Sequence, residues 1–196
     1  MILSTAYLPP IEYFQKIVSS QTITIEKHEH FVKQTYRNRC HILGANGLQV
    51  LSIPLVNTHE KTPIDEKRIS YTEKWQKLHW RSIRSAYANS PYFIYYEDAL
   101  RPFYEKQFDL LFEYNTELLK VILKLLKIKS EVIFTEVYVF PQEDDYRNSI
   151  SPKNEIEASH FKSYSQVFIE KHSFTPNLSI IDLLFNKGPD SIKILS

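Results

Sequence analysis

Between Phe31 and Leu55 the chain carries Lys33, Arg37 and Arg39 and no acidic residue to neutralise them. An arginine fork makes two parallel charge-assisted hydrogen bonds to a carboxylate or phosphate, and lysine acts as a compact point charge. This stretch therefore predicts a site for an anionic small molecule. If Arg37 to Leu43 is extended, alternation sets Arg37, Arg39 and His41 on one face and Asn38, Cys40 and Ile42 on the other. The same pattern fits an edge strand whose charges deter association between sheets.

Other side chains could join such a site. His79 lies in the middle of an otherwise apolar helical face between Trp75 and Ile83, where its imidazole must find partners, as a general base or as a hydrogen-bonded core member. Glu26 and Glu29 follow a strand-like run and could orient a histidine or accept a proton. Asp182 stands one turn into the apolar block Ile180 to Phe185; a buried carboxylate requires a partner, for which Arg39 or Lys33 is the expected choice. His28 and His30 lack an identifiable third ligand, so no metal site is expected. Cys40, the only cysteine, excludes internal disulfides and reads as a small core residue. No glycine-rich phosphate loop and no G-x-S-x-G elbow occur in a chain with only 3 glycines.

The elements that must position these groups read as α/β: a small mixed sheet with an N-terminal strand-helix-strand unit, a hairpin and several packed helices. Ile2 to Thr5 is a predicted strand, Pro9-Pro10 opens a helix over Ile11 to Val18, and Thr22 to Glu26 is a second strand, parallel to the first if the helix is a crossover. Lys27 to Phe31 then leaves a strand's carboxyl end, where open α/β sheets bind ligands. A hairpin turns at Gly44-Ala45-Asn46-Gly47. Helical spacing starts near Glu73 and puts Lys74, Lys77, Arg81 and Arg84 on the face opposite Trp75, His79 and Ile83. Ser90-Pro91 is the expected start of a helix running to Leu100, and the strongest periodicity spans Asp109 to Leu126. Val132 to Phe140 is a predicted strand, Gln142 to Asn154 a surface loop, and Asn177 to Ser179 precedes a short helix stopped at Gly188.

The 196 residues are expected to form one domain, residues 1–196. A net charge of +1 argues against nucleic acid as a partner, and the apolar runs are too short to span a bilayer. The N-terminus lacks a signal-peptide pattern, which predicts a cytoplasmic protein.

Tyr7-Leu8-Pro9 with Tyr13-Phe14, Phe31-Val32-Lys33 with Tyr36 and Asn38-Arg39, Leu51-Ser52-Ile53-Pro54, Trp75 with His79, Tyr164-Ser165-Gln166, and Asn177 to Gly188 form an ordered set of blocks that resembles the WbqC-like family. The resemblance implies a cytoplasmic bacterial protein of surface-polysaccharide synthesis, adding an amino-acid or acyl substituent to an activated amino sugar. The family's usual Asp-Asp upstream of the F-x-K block is replaced here by Lys27-His28. A transferase is thus expected in which Tyr7, Lys33, Arg37, Asn38, Arg39 and Trp75 bind substrate, and His79, Glu29 and Asp182 do the chemistry. The alternative is a non-catalytic module that binds a protein or nucleic acid through the aromatic helices and the Lys74 to Arg84 stripe.

Overall fold

A computed structural model describes residues 1–57 and 61–196. Strand β1 (Ile2–Ser4), helix α1 (Ile11–Val18) and strand β2 (Thr22–Glu26) form the crossover unit, and β1 pairs with β2 in parallel with Ile2 opposite Thr24. Ile11, Phe14 and Ile17 of α1 are buried on one stripe that joins the core. Its first turn is tied down from the far end of the chain, because the Glu12 N–H donates to Asn177 Oδ1 at 2.9 Å. Hairpin strands β3 (Arg39–Gly44) and β4 (Gly47–Ser52) make a separate antiparallel pair. Gly47, at a φ of +106°, closes that turn where a side chain would be strained.

Helix α2 (Trp75–Tyr87) leans on the hairpin and helix α3 (Phe93–Leu100) follows it. Ser90 does not cap α3: its hydroxyl donates to the Tyr87 carbonyl, closing the turn after α2, and α3 begins at Phe93. Helix α4 (Leu111–Leu125) supplies Leu111, Tyr114, Leu118, Leu119 and Ile122 to the core. Strand β5 (Glu131–Phe134) joins β2 in parallel, giving the order β1-β2-β5. The strand expected over Val132 to Phe140 stops at Phe134, opposite the end of β2: the Thr135 hydroxyl turns to the Glu26 carboxylate at 2.8 Å, the chain bends at 136–137, and the Val139 N–H beyond the bend donates to the same carboxylate at 2.7 Å.

Residues 142–154 hold no helix or strand, yet they close the outer edge of β1. The Ile2 N–H donates to the Asp144 carbonyl at 3.0 Å and the Tyr146 N–H donates to the Ile2 carbonyl at 2.9 Å. Past the short helix α5 (Ile169–His172), helix α6 (Ile180–Lys187) is buried nearly all round and α7 (Ser191–Leu195) ends the chain. Ser179 sits at the start of α6, but its hydroxyl donates to the Leu8 carbonyl at 2.8 Å and so ties α6 to the loop after β1. No helix among the described residues is long and apolar enough to cross a membrane.

Candidate functional site

The carboxyl ends of β1, β2 and β5 meet in a cluster of buried charges. Glu26 closes β2, and its carboxylate accepts from the His28 N–H at 2.7 Å, the Thr135 hydroxyl at 2.8 Å and the Val139 N–H at 2.7 Å. With Arg147 Nη1 3.5 Å away, every side of that carboxylate is engaged, and it acts as a clamp on three segments. Glu29, in the loop beyond, accepts both arms of Arg37: Nε to Oε1 at 3.0 Å and Nη2 to Oε2 at 2.6 Å. Arg147 repeats the arrangement with Asp145, donating Nε to Oδ1 at 3.0 Å and Nη2 to Oδ2 at 2.5 Å. That hydrogen bonding holds the Asp145 carboxyl below the usual carboxylate range.

Glu29, Arg37 and Arg147 line an open hollow of about 480 Å³ together with His28, Val32 and Tyr138. The Tyr138 ring covers Arg147 with its centroid 5.3 Å from the guanidinium carbon. Nε2 of His28 is buried without a partner among the described residues. This is the position at which open α/β sheets bind ligands, outside the carboxyl ends of parallel strands.

Arg37 is therefore not in a row with Arg39 and His41. Residues 33–38 turn before β3 begins, the Arg37 carbonyl accepts from Asn115 Nδ2 at 2.8 Å, and its guanidinium swings to Glu29. Arg39 and His41 do share the half-buried face of β3, opposite Cys40 and Ile42. Asn38 joins the hairpin to the loop after it, donating Nδ2 to the Ile53 carbonyl at 2.8 Å. Lys33 is exposed and, like Arg39, is not among the residues lining the hollow. Burial pushes the Cys40 thiol well above its ordinary range, as befits a core residue.

Tyr7, Trp75 and His79 come together elsewhere, inside the core. The Tyr7 hydroxyl shares hydrogen bonds of 3.0 Å with His79 Nδ1 and 3.0 Å with the Tyr104 hydroxyl, while Trp75 meets His79 edge-on with centroids 5.1 Å apart. Burial pushes His79 down to about 4 against an opposing hydrogen bond to the Ser52 backbone, so the ring is neutral near pH 7.

Asp182 forms a third centre. Its expected partners, Arg39 and Lys33, are replaced by neutral donors: Tyr164 Oη at 2.6 Å and Gln166 Nε2 at 3.0 Å, both to Oδ2. The neutral donors avoid the cost of desolvating a second charge. Gln166 is held in turn by Thr175, whose N–H donates to Oε1 at 2.9 Å and whose carbonyl accepts from Nε2 at 2.9 Å.

The WbqC-like protein family model matches residues 5–161 and 153–194. The chain belongs to the WbqC-like protein family. It is also 26% identical over 223 residues, covering 97% of this chain and 94% of the relative, to the uncharacterised protein Rv1507c of Mycobacterium tuberculosis. No solved structure matches it.

The separate blocks of this WbqC-like chain meet in pairs: the opening Tyr7 touches His79 of the W-x-x-x-H helix, Asn38 touches Ile53, and Tyr164 and Gln166 converge on Asp182. Sequence reasoning missed Arg147, which lies in the surface loop expected over Gln142 to Asn154. The signal was present, since Arg147 is the sole arginine among the five acids between Pro141 and Glu157.

The Asp182 centre has a measurable signature. Burial, opposed by Tyr164, Gln166 and Tyr87, raises its pKa from 3.8 to about 6. A carboxyl raised on folding is favoured in its protonated form, so its contribution is present below pH 4 and is lost as pH rises through 6. Asp182→Asn, neutral throughout, should accordingly gain on the wild type by roughly 3 kcal/mol at most between pH 4 and pH 7. Urea unfolding of both proteins across that range checks this; a difference independent of pH would refute the assignment.

Proposed function

We propose that this WbqC-like protein is a transferase acting on an activated, anionic small molecule held in the hollow at the carboxyl ends of β1 and β2. The family resemblance points to a nucleotide-linked amino sugar of surface-polysaccharide synthesis as that molecule. The observation that carries the reading is the pair of buried, fork-bound guanidiniums, Arg37 and Arg147, in the wall of an open cavity beside Glu29.

Three carboxylates, Glu26, Glu29 and Asp145, already face these two guanidiniums. An incoming anion must therefore take a guanidinium from its carboxylate. Arg37 is the arm that can move, because Arg147 is shared by Asp145, Glu26 and the Val139 carbonyl. Transfer of Arg37 to the substrate frees Glu29 in the same hollow, and the base is unmasked only when substrate is bound. Glu29 then accepts the proton of the amino sugar's amine as that amine bonds to the carbonyl carbon of a second substrate, an acyl thioester or acyl phosphate, whose thiolate or phosphate departs with its electron pair. Tyr7, Asn38, Arg39, Trp75, His79 and Asp182 act behind the hollow as positioning residues, fixing the loop after β1, the hairpin and α6.

The other reading, a module for a protein or nucleic acid, draws on Lys74, Lys77, Arg81 and Arg84, which are all exposed on α2. Trp75 and Tyr87 of the same helix are buried and Trp80 stacks on Tyr104 with centroids 5.2 Å apart, so among the described residues α2 itself presents no exposed aromatic row beside the cations, and the transferase is favoured.

The test is thermal-shift titration of the full chain against nucleotide sugars, acyl-CoA compounds and aminoacyl phosphates. A ligand at 100 times its Kd stabilises by about 2.7 kcal/mol, equivalent to about 5–10 °C in Tm for a chain of this size. One class should give such a shift, and Arg147→Lys should reduce it relative to that variant's own baseline. Absence of any shift across all three classes would overturn the reading.

A further inference from the structure

Main chain closes the three-stranded sheet on its β1 side, but among the described residues nothing pairs with the far side of β5. The pairing of β5 with β2 runs without a bulge from Glu131 to Phe134. The Glu131 N–H donates to the Gln21 carbonyl at 2.8 Å and the Thr135 N–H to the Ile25 carbonyl at 3.2 Å, so Glu131, Ile133 and Thr135 turn their main-chain groups to β2. By the alternation of a strand, Val132 and Phe134 turn theirs outward, where among the described residues no partner meets them. The side chains along this edge are apolar: Ile133 is 41% exposed and Phe134 36%. No lysine or proline stands between 131 and 134 to blunt it.

We propose that β5 pairs antiparallel with β5 of a second copy of this chain, joining the two sheets into one about a twofold axis at Ile133. In an antiparallel pair, residues whose main-chain groups face the partner exchange hydrogen bonds in both directions with the residue opposite. Setting Val132 of each copy opposite Phe134 of the other satisfies all the outward groups of both strands. Centring the axis on Val132 or on Phe134 instead leaves the other residue opposite a position outside β5. In the favoured register Ile133 stands opposite Ile133, in the closer, non-hydrogen-bonded position, and Glu131 stands opposite Thr135. Every cross-strand pair from 132 to 134 is then apolar, and no like charges meet. Two features favour a second copy over a foreign strand. The segment complements itself in charge: Lys127 and Lys129 precede the strand and Glu136 follows it, all exposed, so antiparallel pairing brings opposite signs together at both ends. The β1 side is already occupied by Asp144 and Tyr146, so addition at β5 closes at two copies, as a twofold contact requires. The pairing is independent of the chemistry of the hollow.

Analytical ultracentrifugation of the full chain over a range of concentrations should show a monomer–dimer equilibrium. Ile133→Lys and Ile133→Glu each replace an apolar pair with two like charges face to face, and each should weaken the dimer about tenfold or more. Mixed in equal amounts, the two variants should dimerise with one another more tightly than either does alone, because opposite charge rescues only a residue that meets its own copy. Ile133 is exposed, so both variants are expected to fold as the wild type does, and circular dichroism checks it. Ile133→Cys gives an independent measurement. Since Cys40 is buried, mild oxidation should link that variant into a covalent dimer, while Glu131→Cys, which faces Thr135 and not its own copy, should stay unlinked. A wild type that is monomeric at every concentration overturns the proposal. So does a dimer that both charge variants leave intact, a dimer that their mixture fails to restore, or an Ile133→Cys variant that does not link.

Discussion

Arg37→Ala should lower the stability of the fold by about 3–5 kcal/mol, the cost of leaving a buried carboxylate without its partner. The pair is nearly closed to solvent, with side-chain exposures of 3% for Arg37 and 9% for Glu29, and both hydrogen bonds, at 3.0 and 2.6 Å, are lost together. For a domain of this size the expected fall in Tm is about 6–20 °C. Arg37→Met combined with Glu29→Gln removes both charges and should cost markedly less than Arg37→Ala, because the penalty lies in the orphaned charge more than in the lost attraction. Denaturant unfolding of Arg37→Met, Glu29→Gln and the double variant gives the coupling directly. If Arg37→Ala costs less than about 1 kcal/mol, comparable to an exposed pair, Glu29 is hydrated and the hollow is organised in some other way.

Gly188→Ala is the second large effect. Gly188 ends α6 at a φ of +52° and ψ of −124°, and a Cβ built there would overlap the ring of Tyr92. The backbone conformation costs roughly 1–3 kcal/mol for a residue with a side chain, and forced overpacking costs a further 1–3 kcal/mol. Tyr92 is partly exposed and its N–H donates to the Phe185 carbonyl at 3.0 Å, so its ring can be removed while the backbone link stays. Tyr92→Ala should recover the steric part of the loss and leave the conformational part. If Gly188→Ala is no less stable than the wild type, the close approach of α3 to the end of α6 is wrong.

What the sequence made legible was what neighbouring residues decide among themselves. Helix α1, strand β2 and the hairpin turn lie where local spacing puts them, and the repeat of Leu111, Tyr114, Leu118 and Ile122 marks α4 because burial of one stripe needs no distant information. The family blocks were legible as well, although not which block meets which. Most of the failures involve side chains choosing partners across the fold. Asp182 took neutral donors from Tyr164 and Gln166, 18 and 16 residues away, in place of cations. The strand after Val132 ended at Phe134, where its partner β2 runs out and the Thr135 hydroxyl turns to Glu26. Arg37 left its predicted row once Asn115, 78 residues on, took its carbonyl. The polar segment from Gln142 to Asn154 was expected as a surface loop, whereas Asp145 and Arg147 neutralise one another two residues apart and go inside together.

The seal on β1 has a bearing on how the molecule behaves in company. A parallel sheet with a bare flank is a template on which a foreign strand can assemble, and such exposure commonly ends in fibres or exchanged segments. Here the flank of β1 is occupied by main chain from Asp144 to Tyr146, the same stretch that carries Asp145 and leads into Arg147. An invading strand on that side would have to evict both ionic partners from the interior, so the groups that shape the hollow also guard the sheet against unwanted self-assembly.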